Sequence, residues 1–109
     1  MTTVRLLCLL SAMLAAPAHA EGLTLRLING SSQVVTALSM FPLDDDGEAV
    51  EDNLGGFYDN VAPGAEALAE IGAACGPMLA VVMLQDGLDL RVKLDTCADT
   101  TLQLSDQSR

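Results

Sequence analysis

Aromatic and basic side chains are scarce in this sequence. It has no tryptophan, two phenylalanines and one tyrosine, so its core must be mainly aliphatic. Five lysines and arginines stand against fifteen aspartates and glutamates, which gives a formal net charge of −10. Such a chain repels nucleic acid and anionic membranes, because it lacks the basic patch that neutralises phosphates. We therefore expect no nucleic-acid binding.

The first twenty residues have the pattern of a secretory signal peptide. Arg5 gives a positive start, Leu6 to Ala16 an apolar run, and Ala18-His19-Ala20 a small-residue cleavage site. The alternative is a buried N-terminal helix. The apolar run is too short to span a membrane, and so is every later one. We predict a signal peptide over residues 1–20, a single β domain over residues 21–109, no membrane insertion and a periplasmic or secreted location.

Reactive side chains are also missing once the leader is removed. His19 is the only histidine, so the mature chain would lack Ser-His and Cys-His catalytic pairs and the usual zinc ligands. No glycine-rich phosphate loop leads from a strand into a helix. Carboxylate pairs could serve a glycosidase, but those enzymes need a deep cleft that a small domain with few aromatics is poorly equipped to form. We expect a protein that is not an enzyme.

Two cysteines remain after the leader, which contains Cys8. They are Cys75 and Cys97. An even number of cysteines in a chain expected to be exported predicts a disulfide between them. A metal or redox pair is disfavoured, because there is no CxxC spacing and no nearby histidine. Between the two cysteines, Asp86-Gly87 separates two apolar runs, a pattern typical of a two-residue hairpin turn.

That turn sets an expected hairpin register. If Gln85 pairs with Leu88, paired residue numbers add up to 173, whereas those of Cys75 and Cys97 add up to 172. We expect a β-bulge near Gly76-Pro77 to absorb the difference, because proline cannot donate to the ladder. In this register one apolar face combines alternate residues of both strands: Leu88, Leu90, Val92 and Leu94 with Met83, Val81 and Leu79.

The first hairpin strand is apolar on its other face as well. That face would carry Met78, Ala80, Val82 and Leu84, a pattern typical of a central strand. The aliphatic stems of Arg91 and Lys93 can cover part of it. A second sheet or a partner subunit would have to cover the rest.

The remaining strands are short and separated by turn residues. The first covers residues 23–28 and ends at Asn29-Gly30, which indicates a turn, although Asn29-Gly30-Ser31 also fits a glycosylation acceptor. Three further strands are predicted over residues 33–41, 65–71 and 100–104. With the hairpin these make an all-β fold, a small antiparallel β-sandwich or partly open barrel of about six strands with one disulfide.

Residues 43–58 form an acidic loop between the second and third predicted strands. Oxygen-rich loops bind Ca²⁺, which takes six to eight oxygen ligands. The EF-hand pattern fails, because its first and twelfth positions fall on Pro42 and Asn53. A looser Ca²⁺ site is still predicted, against the alternative of a solvated surface loop, from four carboxylates: Asp44, Asp46, Glu48 and Asp52.

The order of these features resembles a group of small exported bacterial proteins of uncharacterised function. Their loop commonly carries a Trp-Gly-x-Asp-x-Leu-Gly segment, whose place is taken here by residues 51–55, without the tryptophan. The matching features that follow are Pro63-Gly64, Cys75, Asp86-Gly87 and Cys97. The resemblance implies an exported all-β domain and no particular activity.

We therefore expect an exported, non-enzymatic interaction or binding module of the cell envelope. The first alternative is a Ca²⁺-binding envelope protein that uses residues 44–53. The second is a small structural or inhibitory domain that docks through an exposed strand edge, which would also allow a homodimer. The partner would be a protein or a cation, and Ca²⁺ the only ligand resembling a cofactor.

Overall fold

The structure is a computed structural model that describes residues 22–108, so the predicted signal peptide lies outside the described residues. Among those residues, no helix is long and apolar enough to cross a membrane. The chain forms seven strands and a short final 3-10 helix at Asp106–Ser108: β1 Leu23–Gly30, β2 Val35–Pro42, β3 Gly55–Phe57, β4 Glu66–Ile71, β5 Pro77–Leu84, β6 Asp89–Asp95 and β7 Thr101–Ser105.

All seven strands belong to one curled sheet with the order β6-β5-β2-β3-β4-β1-β7. Every neighbouring pair is antiparallel except β1 and β7, which are parallel. The sheet is a half-barrel, which confirms the predicted all-β fold in its partly open barrel form. The six predicted strands are present with small shifts at their ends. The seventh, β3, lies inside the stretch predicted as a loop.

The concave face of the sheet holds the hydrophobic core. Strands β1, β4, β5 and β7 alternate along their length, so that every second side chain points inward, and β2 has one register shift between Val35 and Ala37. In the described part of the chain three polar residues are buried, Asn29, Ser31 and Thr96, and the buried apolar side chains are all aliphatic, as the scarcity of aromatics requires. The largest of them with almost no exposure are Leu25, Leu27, Leu38, Met40, Ile71, Leu104, Val35 and Val82.

The β5–β6 hairpin forms, but the predicted register is wrong by one residue. Leu84 donates its amide to Leu88 at 2.9 Å, and Gly87 donates to Leu84 at 3.0 Å. The loop therefore has three residues, Gln85 to Gly87, and Gly87 adopts a φ of 90° that completes it. Paired residue numbers add up to 172 along the whole hairpin, from Pro77 with Asp95 to Met83 with Asp89.

This shift of one residue exchanges the two faces of β5. Met78, Ala80 and Val82 pair with Leu94, Val92 and Leu90 and point into the core. Leu79, Val81 and Met83, predicted to share that face, lie opposite Lys93, Arg91 and Asp89 on the convex side. The bulge predicted at Gly76-Pro77 is absent, because Cys75 and Cys97 already match the register. Thr96 donates to Gly76 at 3.0 Å in the same register.

The predicted disulfide between Cys75 and Cys97 is present at the open end of this hairpin. Their Cα atoms are 4.9 Å apart, within the range that a disulfide spans without backbone movement. The hydroxyl of Thr96 accepts a hydrogen bond from the amide of Gly76 at 2.9 Å and so closes the same end. The disulfide and this hydrogen bond therefore hold the two strands together at the same place.

Breaking the disulfide should destabilise the domain. We expect Cys97→Ala to lower the free energy of unfolding by about 2–5 kcal/mol, since the unfolded chain regains the entropy of the closed loop. Urea unfolding of the protein purified without reductant measures this. Cys75→Ala should give the same loss, and the double variant should lose no more than either single one. Two free thiols in the protein purified in this way would contradict the bond itself.

Two glycines join the halves of the sheet. In the sheet order the short strand β3 lies between β2 and β4, and it pairs with Leu38, Ser39 and Met40 on one side and with Glu70 and Ile71 on the other. Gly55 and Gly56 have φ values of 139° and 148°, which side chains rarely allow. A Cβ at Gly55 would overlap the carbonyl oxygen of Glu70, and one at Gly56 that of Leu38.

A fully buried asparagine at the C-terminal end of β1, Asn29, connects the two halves of the sheet. The side-chain amide of Asn29 donates to the carbonyl oxygens of Gln33 and Val61, both at 2.8 Å. Its oxygen accepts from the amide and the hydroxyl of Ser31, at 3.0 and 2.6 Å. Every donor of this side chain is thus used. Of the two interpretations of Asn29, the structure therefore supports the turn. Its side chain is buried, so it is not an accessible glycan acceptor in the folded domain.

Adding one methyl group to β3, the joining strand between the two halves of the sheet, should disrupt the sheet. We expect Gly56→Ala to lower the free energy of unfolding by about 3 kcal/mol, through backbone strain and the clash with Leu38. Gly76→Ala is the matched control, because a Cβ there meets no atom within 4 Å. It should change stability by less than about 0.5 kcal/mol. Equal urea midpoints for the two variants would contradict the role given to Gly56.

Candidate functional site

The acidic loop folds back across the convex side of the sheet. Its first half closes on itself through an antiparallel bridge between Leu43 and Ala49. The amide of Val50 then donates to the carbonyl oxygen of Pro42 at 2.9 Å, and that of Leu54 to Met40 at 2.8 Å. These bonds hold the loop against the end of β2, from which it started.

A lysine attaches this loop to the hairpin. The ammonium group of Lys93, on β6, donates to the carbonyl oxygen of Gly47 at 2.7 Å. Gly47 sits at the tip of the acidic turn with a φ of 80°. This bond holds the tip of the acidic loop on the convex side of the hairpin. The face of β5 that Arg91 and Lys93 were predicted to cover in part points into the core instead. It carries Met78, Ala80, Val82 and Leu84. The acidic loop lies against part of the opposite, convex face.

A groove lies between the acidic loop and the convex side of the sheet. Its volume is about 370 Å³, and it lies on the convex side of β2, β5 and β6. Its apolar surface comes from Phe41, Ala49, Val50, Leu79, Val81 and Met83. Three polar residues complete its lining: Ser39, Glu51 and Arg91. The apolar alternation on both faces of β5 indicated such a surface, but it could not show which segment would leave it open.

A smaller cavity adjoins the groove at the joining strand. Its volume is about 140 Å³, and Ser39 lines both spaces. Gly55 and Gly56 contribute backbone to it, while Tyr58 lies at its side with 80% of its surface exposed.

The four carboxylates predicted to bind Ca²⁺ all lie in the exposed loop. The carboxylate of Asp44 already makes hydrogen bonds within the loop, because its Oδ1 atom accepts hydrogen bonds from the amides of Asp46 and Glu48, both at 2.9 Å. Within residues 22–108, no three histidine, cysteine, aspartate or glutamate side chains converge as a metal site would require. The Ca²⁺ site therefore stays a prediction, and binding would need the loop to rearrange.

Calorimetry decides whether the loop binds Ca²⁺. If the loop binds the ion, titration at physiological ionic strength should release heat with one site per chain, and Asp46→Asn should weaken the binding. Asp59→Asn is the control, because Asp59 is an exposed carboxylate outside the loop. Absence of heat at millimolar Ca²⁺ would remove the prediction. Asp44→Asn is the less useful variant, since it also disturbs the loop's own hydrogen bonds.

An ion pair marks the opposite half of the convex face. The guanidinium group of Arg26, on β1, bonds both carboxylate oxygens of Glu66, on β4, one of them at 3.0 Å. This hydrogen bonding lowers the pKa of Glu66 and raises that of Arg26. Both side chains are about half exposed, so solvent screens the pair and its contribution to stability is small. It is remote in sheet order from the groove.

Comparisons with protein-family models, curated proteins and solved structures find no match for this chain. The resemblance to small exported bacterial proteins therefore stays an expectation drawn from the sequence. The segment that carries it, residues 51–55, leads from the groove into the joining strand. Gly55 has a structural reason to be glycine there, because of its close approach to Glu70.

Proposed function

We propose that this protein is an exported, non-enzymatic binding module of the cell envelope, and that it binds an apolar side chain of a partner protein in the convex groove. The observation that carries the proposal is the groove itself. Six of its nine lining residues are apolar, and Met83 remains 37% exposed. Binding sites combine such apolar surface with a few polar groups, here Ser39, Glu51 and Arg91.

Charge favours a basic partner. The loop beside the groove carries six carboxylates, at positions 44, 45, 46, 48, 51 and 52, and no basic residue. Lys93, one of the two cations on the neighbouring strand, already bonds to the loop. A negative rim attracts lysine and arginine and speeds the encounter with them. The partner would therefore present an apolar residue flanked by basic ones.

Export rests on two independent features. The leader pattern of residues 1–20 predicts secretion, and a disulfide in so small a domain is typical of an oxidising compartment. A disulfide between Cys75 and Cys97 is compatible with that location. The envelope or the extracellular medium is accordingly where we propose that the partner is found.

Selection from a library of short random peptides tests the groove. We expect the selected peptides to carry an apolar residue next to lysine or arginine. Met83→Gln should weaken their binding about tenfold, because a polar amide would then be buried under the peptide in place of the apolar thioether. Leu68→Gln is the matched control. Leu68 is 64% exposed on the convex side of β4, outside the groove.

The salt dependence of the same binding tests the charge argument. Affinity for the selected peptides should fall as ionic strength rises, since exposed charges are screened. Equal weakening by the two substitutions would contradict the groove as the site. Selected peptides that are acidic would contradict the proposed partner chemistry.

A further inference from the structure

Strand β6 lies at one end of the sheet, so one side of its backbone faces outward. The hydrogen bonds of Thr96 to Gly76 and of Leu84 to Leu88 fix which residues face β5. Because bonded and outward positions alternate in an antiparallel pair, Leu90, Val92 and Leu94 direct their backbone groups to β5. The amides and carbonyls of residues 89, 91 and 93 point away from the sheet.

The opposite edge is less accessible to an added strand. The bond from Arg26 to the carbonyl of Thr100 fixes the alternation of β7, so the amide of Thr101 points outward. That amide already donates to the carboxylate of Asp99 at 2.9 Å. β7 is also shorter than β6, with five residues against seven. An added strand would therefore meet more available backbone groups at β6.

The charges of β6 have a defined order. Asp89, Arg91, Lys93 and Asp95 all lie on the convex face, and their signs run minus, plus, plus, minus. This order is the same in both directions along the strand. Opposite charges placed directly across two strands attract, and like charges repel. The complementary order on an added strand is plus, minus, minus, plus, in either orientation.

The same order disfavours pairing of two copies of this protein through β6. In a fully overlapping antiparallel pair, Arg91 would lie opposite Lys93 of the second copy, and Asp89 opposite Asp95. Every charged pair would then be repulsive. A shift of two residues places one like pair, Arg91 or Lys93, opposite itself, but it also creates two attractive pairs of opposite charge. Charge therefore disfavours the edge homodimer expected as an alternative from the sequence only in its fully overlapping register.

The inner face of β6 also lacks a neighbour. Val92 and Leu94 are only partly buried, whereas Ala80 and Met78, their partners on β5, are fully buried. A strand added outside β6 would cover these two side chains with its own inward-facing residues. Charge on the convex side and apolar surface on the concave side thus call for an alternating partner strand.

We propose that the β6 edge binds an extended segment of a partner protein by strand addition. The segment alternates apolar residues with charged ones, and its charges follow the order basic, acidic, acidic, basic. The outward backbone groups of residues 89, 91 and 93 would form the ladder. Arg91 also lines the groove, so the two surfaces adjoin. The ladder uses the outward backbone groups of β6 and does not require the groove to be occupied.

The synthetic heptapeptide Lys-Val-Glu-Val-Glu-Val-Lys tests this proposal on the exported protein. We expect it to slow hydrogen exchange at the amides of Arg91 and Lys93, read residue by residue by NMR, and to leave that of Gln103 on β7 unchanged. The charge-reversed peptide Glu-Val-Lys-Val-Lys-Val-Glu should bind about tenfold more weakly, because attractive pairs become repulsive.

Two variants separate the edge from the rest of the surface. Asp89→Lys should weaken binding of the first peptide several-fold, whereas Gln103→Lys, which adds a positive charge at the other edge, should not. Equal binding of the two peptides, or no added protection at millimolar peptide, would overturn the proposal. Protection of the Arg91 and Lys93 amides that rises with protein concentration in the absence of peptide would instead show self-association and overturn it as well.

Discussion

Two stretches of backbone approach each other at Gly55 and Gly56 more closely than any side chain permits, and the sheet depends on that approach. The joining strand β3 has three residues, yet it lies between β2 and β4 and connects the hairpin half of the sheet to the half that contains β4, β1 and β7. Each glycine leaves space for a carbonyl oxygen of the neighbouring strand. Asn29 reinforces the connection at the far end of β1, where its side chain bonds to the segments before β2 and before β4. Buried polar groups that are fully satisfied in this way favour one arrangement over its competitors.

The same connection decides how the acidic loop runs. The loop begins at the end of β2 and must return to β3 beside that strand, so it can only fold across the convex side. There it meets Lys93, which bonds to its tip, and it covers part of the apolar surface of β5. The acidic loop thus leaves one groove partly covered, and in the described part of the chain the sheet ends at β6 on the hairpin side. Both proposed binding surfaces are consequences of where this sheet stops and where this loop ends.

The hairpin shows how far local pattern carries and where it fails. The two cysteines, the Asp86-Gly87 turn and the alternation of β6 predicted the hairpin and its disulfide correctly. The register was wrong, because Asp-Gly fits both a two-residue turn and a three-residue loop that ends in a left-handed glycine. The cysteine numbers held the correct answer, since their sum of 172 is the register that forms. The bulge added to reconcile them was unnecessary. One residue of error exchanged the two faces of β5 and hid the groove.

By itself, the sequence determined the all-β class, six of the seven strands, the aliphatic core and the disulfide, because period-two alternation, turn residues and cysteine count are local signals. The candidate binding surfaces were harder to predict from the sequence. The four loop carboxylates could be named, but the sequence did not show that Asp44 accepts hydrogen bonds from amides of the loop itself. Only the tertiary structure decided that β3 joins the sheet, since Gly-Gly-Phe has little strand propensity and its pairing partners are distant in sequence. It also decided that β1 and β7 run parallel and that β6 is an edge. Strand order depends on which distant segments pack together, and no local pattern of residues specifies that.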